Sequence, residues 1–322
     1  MARKLEYCVV DAFASERFSG NPAAIVFDGD GLDDRTMQSV AAEFNLSETV
    51  FVLRPEHEEA IQKIRWFTPT VEVSMCGHAT LAAAHALHLT GRSMVNETGL
   101  MALETAGGVL HVRIEESPSG GDLKGGDLKG GDLKGGGLKG GDLIWLLMPT
   151  PSFSKPPSGI EQLLGIMDLT PEVLDDHMEP VFTQDGDLIV FVRDFMSLQS
   201  ARPEFAALRQ HCERRRIRGV CLSTTNTLNA DTHAQSRFFA PTSGVNEDPV
   251  TGSVHGPLAA YLVRMGRVSI VDGMATINCV QSVAGGRAGM VRAVVGTNIA
   301  EEYEVAIAGR CITTMAGQLF LE

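Results

Sequence analysis

Short runs of β-branched and aromatic residues, punctuated by Gly, Pro, Asp or Asn, dominate the pattern of apolar positions and predict strands. They lie at Leu5–Ala14, Ala23–Phe27, Thr49–Leu53, Ile64–Thr68, Val109–Glu115, Leu143–Met148, Leu188–Arg193, Val220–Leu222, Met290–Val295 and Glu304–Ala308. Helical spacing is rarer. In Asp33–Phe44, Met37, Val40, Ala41 and Phe44 recur at i, i+3, i+4 and i+7 behind two aspartates that suit a helix start. Ser158 with Glu161 has the spacing of a capping box, and Thr170-Pro171 opens a further short helix. Strands outnumber helices, so the expected class is mixed α+β.

One stretch of pattern occurs twice. Phe67-Thr68-Pro69-Thr70 runs into Cys76-Gly77-His78-Ala79-Thr80, with Gly91-Arg92 beyond; Phe239-Ala240-Pro241-Thr242 runs into Thr251-Gly252-Ser253-Val254, with Gly266-Arg267 beyond. Both Gly77 to Gly91 and Gly252 to Gly266 span 14 residues. This is the mark of a tandem duplication: each copy reads as strand, Pro-containing turn, then a helix opening at Gly77 or Gly252. The first helix, ATLAAAHALHL, is apolar nearly all round, which a surface helix is not, so a sheet must wrap it. The architecture expected is two pseudo-symmetric domains, each a curled, mostly antiparallel sheet or barrel around a central helix.

The copies are separated by GGDLKGGDLKGGDLKGGGLKGG at 120–141, which holds 11 of the 34 glycines. Its five-residue period fits neither helix nor strand, so it reads as a flexible insertion. The domains expected are 1–118, completed by 300–322, and 142–300, with 119–141 as the insertion.

Composition narrows the partners. With 27 Lys+Arg against 40 Asp+Glu the formal net charge is −13, which gives nucleic acid no general electrostatic reason to bind. No apolar run approaches the roughly 20 residues of a membrane span, and no signal-peptide core precedes Asp11, so a soluble, cytoplasmic protein is expected. Six scattered cysteines without a CxxC pair read as reduced thiols, mostly in the core.

A helix that opens on glycine offers uncrowded backbone N–H groups to an anion or a developing oxyanion. If the copies pack about a pseudo-twofold axis, the starts at Gly77 and Gly252 would face one cleft; the alternative is that both glycines ease a turn. No phosphate-binding loop, H-E-x-x-H or dinucleotide fingerprint is present, and Ser253 lacks the context of a nucleophile elbow. His85 and His88 lie one turn apart on an apolar helix without acidic or thiol companions, which reads as core rather than metal site. No metal and no organic cofactor is expected.

The segments VDAFASERFSGNPAAIVF, AAEFNLSETVFVL, FTPTVEVSMCGHATLAAAHAL and RFFAPTSGVNEDPVTGSVHGPLAAYL, in this order across both halves, resemble the phenazine-biosynthesis PhzF family, with its diaminopimelate epimerase-like fold. The related racemases place one Cys at each of two helix starts. Here Cys76 holds the first position and Thr251 the second. A threonine hydroxyl is too weak an acid to exchange protons near neutral pH, so a two-thiol relay cannot run. Cys76 is then either a low-pKa thiolate at a helix start or a small buried residue.

The resemblance instead implies Glu48, in Asn45-Leu46-Ser47-Glu48-Thr49, as the general acid/base. It falls between a helix ending near Phe44 and an apolar strand, where an inward-facing carboxyl group would be pushed toward higher pKa. It also implies His78 and Asp248 as catalytic companions, and Asn21, Cys76, Gly77, Thr251, Gly252 and Ser253 as substrate-binding positions. The function implied is a cofactor-independent isomerase moving a proton on a small anionic metabolite bound between the domains; homodimers are common among such proteins. A racemase or epimerase using Cys76, and a non-catalytic carboxylate-binding protein, stay open as alternatives.

Overall fold

The computed structural model describes residues 3–92, 99–115, 142–298 and 302–321. The expected 120–141 insertion lies outside the described residues, which form two units, Met1–Leu147 with Ala308–Glu322, and Met148–Ile307. The class is sheet-dominated α+β, each unit a curled sheet on a helix.

In the first unit the chain forms β1 (Arg3–Ala12), β2 (Asn21–Val26), α1 (Asp34–Phe44), β3 (Glu48–Leu53), β4 (Gln62–Phe67), β5 (Glu72–Val73), α2 (Gly77–Leu89), β6 (Leu100–Thr105), β7 (Gly108–Glu115) and β8 (Leu143–Met148). The second unit carries β9 (Phe153–Ser154), α3 (Ile160–Ile166), β10 (Val181–Thr183), β11 (Asp187–Phe191), α4 (Phe195–Ser200), α5 (Phe205–Arg215), β12 (Gly219–Thr224), β13 (Ala234–Ala240), β14 (Val245–Asp248), α6 (Gly252–Arg264), β15 (Met274–Ser282) and β16 (Ala288–Thr297). β17 (Tyr303–Gly309) leads into β18 (Cys311–Leu321), which pairs antiparallel with β1.

The duplication is visible in the pairing. β1–β2 and β10–β11 are antiparallel, β2–β3 and β11–β12 parallel, β3–β4 and β12–β13 antiparallel, and β4–β6 and β13–β15 parallel. α2 and α6 stand at matching places, between the fifth and sixth strands of each series.

α2 is buried from Gly77 to Leu87 and packs against β1, β2, β3 and β18. Its run of alanines lets strands approach closely, and its apolar circumference is what a helix enclosed by sheet requires. α1 packs Met37, Val40 and Ala41 against Leu5, Val26, Phe51 and Phe67. Asp33 caps it by accepting from the Thr36 N–H at 2.8 Å, and Asn45 ends it in the left-handed region.

The capping box expected at Ser158 and Glu161 does not form. Gly159 occupies the cap of α3 at φ 98° with no side-chain cap hydrogen bond. The Ser158 carbonyl instead accepts from Arg215 Nε at 2.6 Å, so the turn is fixed from α5 rather than by its own serine. The helix at Thr170-Pro171 is a single 3₁₀ turn, Pro171–Val173.

Candidate active site

The first unit gathers five of the residues picked out in the sequence. β2 and β3 run parallel with Ala23 opposite Glu48, so Asn21 and Glu48, which open these strands, come to the same sheet edge. The first turn of α2 lies beside them. Its His78 Nε2 is 3.1 Å from Glu48 Oε2, an ion-pair approach off the line of a hydrogen bond. On the other side of the ring, Nδ1 is 3.4 Å from Cys76 Sγ and 3.3 Å from Asn21 Nδ2. The imidazole thus bridges a carboxyl group and a thiol, with Gly77 between the two helix-start side chains.

These groups are enclosed, the Glu48 and His78 side chains being 14% and 6% exposed. Burial disfavours an imidazolium, yet the negative charge that Cys76 and Glu48 can present outweighs it and raises the His78 pKa well above its ordinary value. Burial, reinforced by the charge of Glu48, pushes the Cys76 thiol up. Cys76 therefore lacks the low-pKa thiolate character that a helix start can confer.

Glu48, Cys76 and His78 also offer donor atoms that all lie within 4.8 Å of one another, close enough to address one cation. Cys76 caps α2 with an extended backbone and no side-chain cap hydrogen bond, while the Thr80 hydroxyl donates to its carbonyl at 2.6 Å.

The second unit brings Asp248, Thr251, Gly252 and Ser253 together at the start of α6. The Thr251 hydroxyl donates to Asp248 Oδ2 at 2.5 Å. Buried Gln281 clamps the turn: its Oε1 accepts from the Thr251 N–H at 2.9 Å, and its Nε2 donates to the Asp248 carbonyl at 2.7 Å. His255 Nδ1 donates to the Thr251 carbonyl at 2.7 Å, as Thr80 does to Cys76, and its Nε2 lies 2.9 Å from Ser236 Oγ. Burial pushes His255 down to about 4, so it is a neutral structural group.

Ser253 Oγ accepts from Arg218 Nη2 at 3.1 Å, and that guanidinium is held by buried Asp187 through Nε at 3.0 Å and through Nη2. Burial pushes Asp187 up to about 6 against the attraction of Arg218.

Gln281, Arg218 and Asp187 carry no motif and were not among the sequence candidates. A signal for Gln281 did exist: along β15 the residues Ala275, Ile277, Cys279 and Gln281 alternate onto the buried face, and a polar member of such a series must find partners.

The two copies differ in chemistry. Thr49 lies opposite Phe67 and Val220 opposite Phe239, the matched phenylalanines of the repeat, so the counterpart of Glu48 is Gly219. A Cβ there would come within 2.2 Å of the Phe238 ring. Where the first copy has Glu48, Cys76 and His78, the second has Gly219, Thr251 and Ser253.

The family profile described as phenazine biosynthesis-like protein, PhzC-PhzF, matches residues 10–317. The chain belongs to the PhzC-PhzF family. An uncharacterized isomerase of Pseudomonas aeruginosa is 37% identical over 269 residues, 83% of this chain and 85% of that protein. The trans-2,3-dihydro-3-hydroxyanthranilate isomerase of the same organism is 32% identical over 263 residues, 80% of each chain. A Bacillus anthracis PhzF-family crystal structure matches with a TM-score of 0.81 at 24% identity, covering 98% of this chain and 99% of that one. A hydroxyproline epimerase from Agrobacterium vitis shares the fold at a TM-score of 0.63 and 12% identity, covering 99% and 93%. The PhzC-PhzF relatives are named isomerases, so this is a chain of an isomerase family, on a fold shared with epimerases.

Proposed function

We propose that the chain is a cofactor-independent isomerase that moves a proton from one carbon to another of a small carboxylate, with Glu48 as the acid–base group. The observation that carries this reading is the enclosed Glu48 carboxyl group 3.1 Å from His78, at the first turn of a buried helix.

Glu48 takes a proton from an activated C–H bond, leaving the electron pair delocalised over the neighbouring unsaturation and carboxylate. It returns a proton to a different carbon as the double bond relocates; nothing is oxidised or reduced. His78 holds Glu48 in place and lends positive charge while negative charge develops nearby. Backbone N–H groups at the start of α2, those of Gly77 and His78, suit a carboxylate or developing enolate. Asn21, beside His78, orients polar groups of the substrate. The relative named for trans-2,3-dihydro-3-hydroxyanthranilate makes that compound the first substrate to try.

A racemase would need a second thiol opposite Cys76, and Thr251 stands at the matched position. The test is incubation in D₂O with trans-2,3-dihydro-3-hydroxyanthranilate, proline, hydroxyproline and a panel of unsaturated carboxylates, followed by NMR. Relocation of a double bond supports the proposal. Deuterium at a single stereocentre with inversion points to the racemase, and unchanged spectra across the panel point to a binding protein.

A further inference from the structure

We propose that Glu48, Cys76 and His78 form a binding site for a divalent cation of the zinc class, and that its occupancy shuts off the proton shift. The inhibitory consequence rests on the reading of Glu48 as the acid–base group; the binding itself does not.

The donor set is the first argument. Thiolate, imidazole and carboxylate are the side chains that zinc and its congeners take, and three of them with an open fourth position make a familiar coordination shell. Among the described residues this is the one group of three or more His, Cys, Asp or Glu side chains whose ligand atoms all fall within 4.8 Å. Around a four-coordinate zinc, neighbouring donors stand ~3.3–3.6 Å apart, given bond lengths of about 2.0 Å to N and O and about 2.3 Å to S. The Cys76 Sγ to His78 Nδ1 distance of 3.4 Å is at that spacing, and the Glu48 carboxylate, which approaches the other ring nitrogen at 3.1 Å, lies within the 4.8 Å that the three donors share. A metal takes one ring nitrogen only, so binding through Nδ1 requires the Glu48 carboxylate to swing from Nε2 toward the thiol.

The second argument is the state of the donors. Glu48 Oε2 and His78 Nε2 are buried atoms without a hydrogen-bond partner. Three other enclosed carboxylates are satisfied: Glu104 accepts from the N–H groups of Glu56 and His57, Asp187 is bound by Arg218, and Glu247 by Arg237. Two buried polar atoms that approach to 3.1 Å without a hydrogen bond, beside a thiol, are what a cation would satisfy. Binding releases two protons to water, the Cys76 thiol proton for a metal–sulfur bond and one imidazolium proton of His78 for a metal–nitrogen bond, with no change of oxidation state.

The test is a titration of the chelator-treated full-length protein with Co²⁺, read by absorption. The expected result is a near-ultraviolet sulfur-to-cobalt charge-transfer band that saturates at one equivalent, is displaced by Zn²⁺, and is lost in Cys76→Ser. Zinc affinity, measured against a chromophoric chelator, should fall at least tenfold in Cys76→Ser and in Glu48→Gln. Circular dichroism checks that each variant is folded, and Glu48→Gln serves if Cys76→Ser is not. A wild-type protein without the band, or a band that persists in folded Cys76→Ser, overturns the site.

Isomerisation should cease at one equivalent of Zn²⁺ and return with chelator; full activity at saturating Zn²⁺ overturns the inhibitory role. A protein that shows the band but isomerises nothing refutes the proton-shift reading and leaves the metal site standing. One that isomerises without showing the band does the reverse.

Discussion

Gly20 holds φ +65°, and a Cβ there would sit 2.2 Å from the Ala12 carbonyl oxygen. Its φ gives the chain the left-handed residue it needs to turn out of β1 and place Asn21 beside His78. Gly20→Ala should therefore cost about 3 kcal/mol in urea unfolding, combining left-handed strain with a backbone clash. A loss under about 0.5 kcal/mol would show that the turn relaxes freely. Glu48 was legible only through the Asn-Leu-Ser-Glu-Thr segment, because a lone Glu before an apolar strand is more often exposed. Its contact with His78 depends on parallel pairing of β2 and β3, which no local pattern encodes. The Ser158 capping box shows the reverse failure: its local pattern is right, yet the helix opens one residue later, with Gly159 as its cap, and Arg215, from a helix far along the chain, holds the serine carbonyl.

At the scale of the element, the starts of α2 and α6 share one device. Four residues into each helix a side chain donates to the carbonyl of the cap, Thr80 in one and His255 in the other. Burial pushes His255 down to about 4, and does the same to His85, which meets Thr313 Oγ1 at 3.1 Å. Between the ordinary histidine value of 6.5 and about 4 the unfolded chain binds protons that the folded chain refuses. The stabilising contribution of each is whole above pH 6.5 and is lost as pH falls through about 4, up to about 3 kcal/mol per histidine. Asp187, raised to about 6, acts in the opposite sense, its contribution present below its ordinary 3.8 and lost as pH rises through about 6. A single substitution isolates the histidine effect: unfolding free energy should fall less between pH 7 and pH 5 in His255→Gln than in the parent. Equal falls would mean that His255 titrates normally.

The start of α6 depends on Gln281, so Gln281→Leu, which strands the Thr251 N–H and the Asp248 carbonyl, should cost about 2–4 kcal/mol. Thermal and urea unfolding check this, and an unchanged midpoint would contradict it. The ten sequence-predicted strand segments all correspond to strands, whereas β6, with Leu-Met-Ala-Leu-Glu-Thr, carries little β propensity and escaped notice. β18 escaped because its apolar residues are mostly half-buried or exposed; it exists by pairing with β1.

Across the whole molecule, the 120–141 tract stands between β7 and β8, whose facing ends pair directly, Glu115 opposite Leu143. Two strands that end in register can be closed by a tight turn. Replacing residues 116–142 with Asn-Gly should preserve activity and stabilise the chain by about 1–2 kcal/mol through lower loop-closure entropy. A loss of folding on this replacement would assign the tract a structural role. The duplication was readable from Gly77 to Gly91 and Gly252 to Gly266, and it reappears as matched strand pairing. What the repeat does not announce is the division of labour: where the first copy carries Glu48, Cys76 and His78, the second carries Gly219, Thr251 and Ser253.

The central claim is that Glu48, not Cys76, moves the proton. Its most direct test is the rate of double-bond relocation in trans-2,3-dihydro-3-hydroxyanthranilate, or in the best substrate from the panel, for Glu48→Gln and Cys76→Ser side by side. The account predicts that Glu48→Gln loses at least about 10²-fold in rate while Cys76→Ser stays within about tenfold of the parent. Activity retained in Glu48→Gln and abolished in folded Cys76→Ser would contradict it.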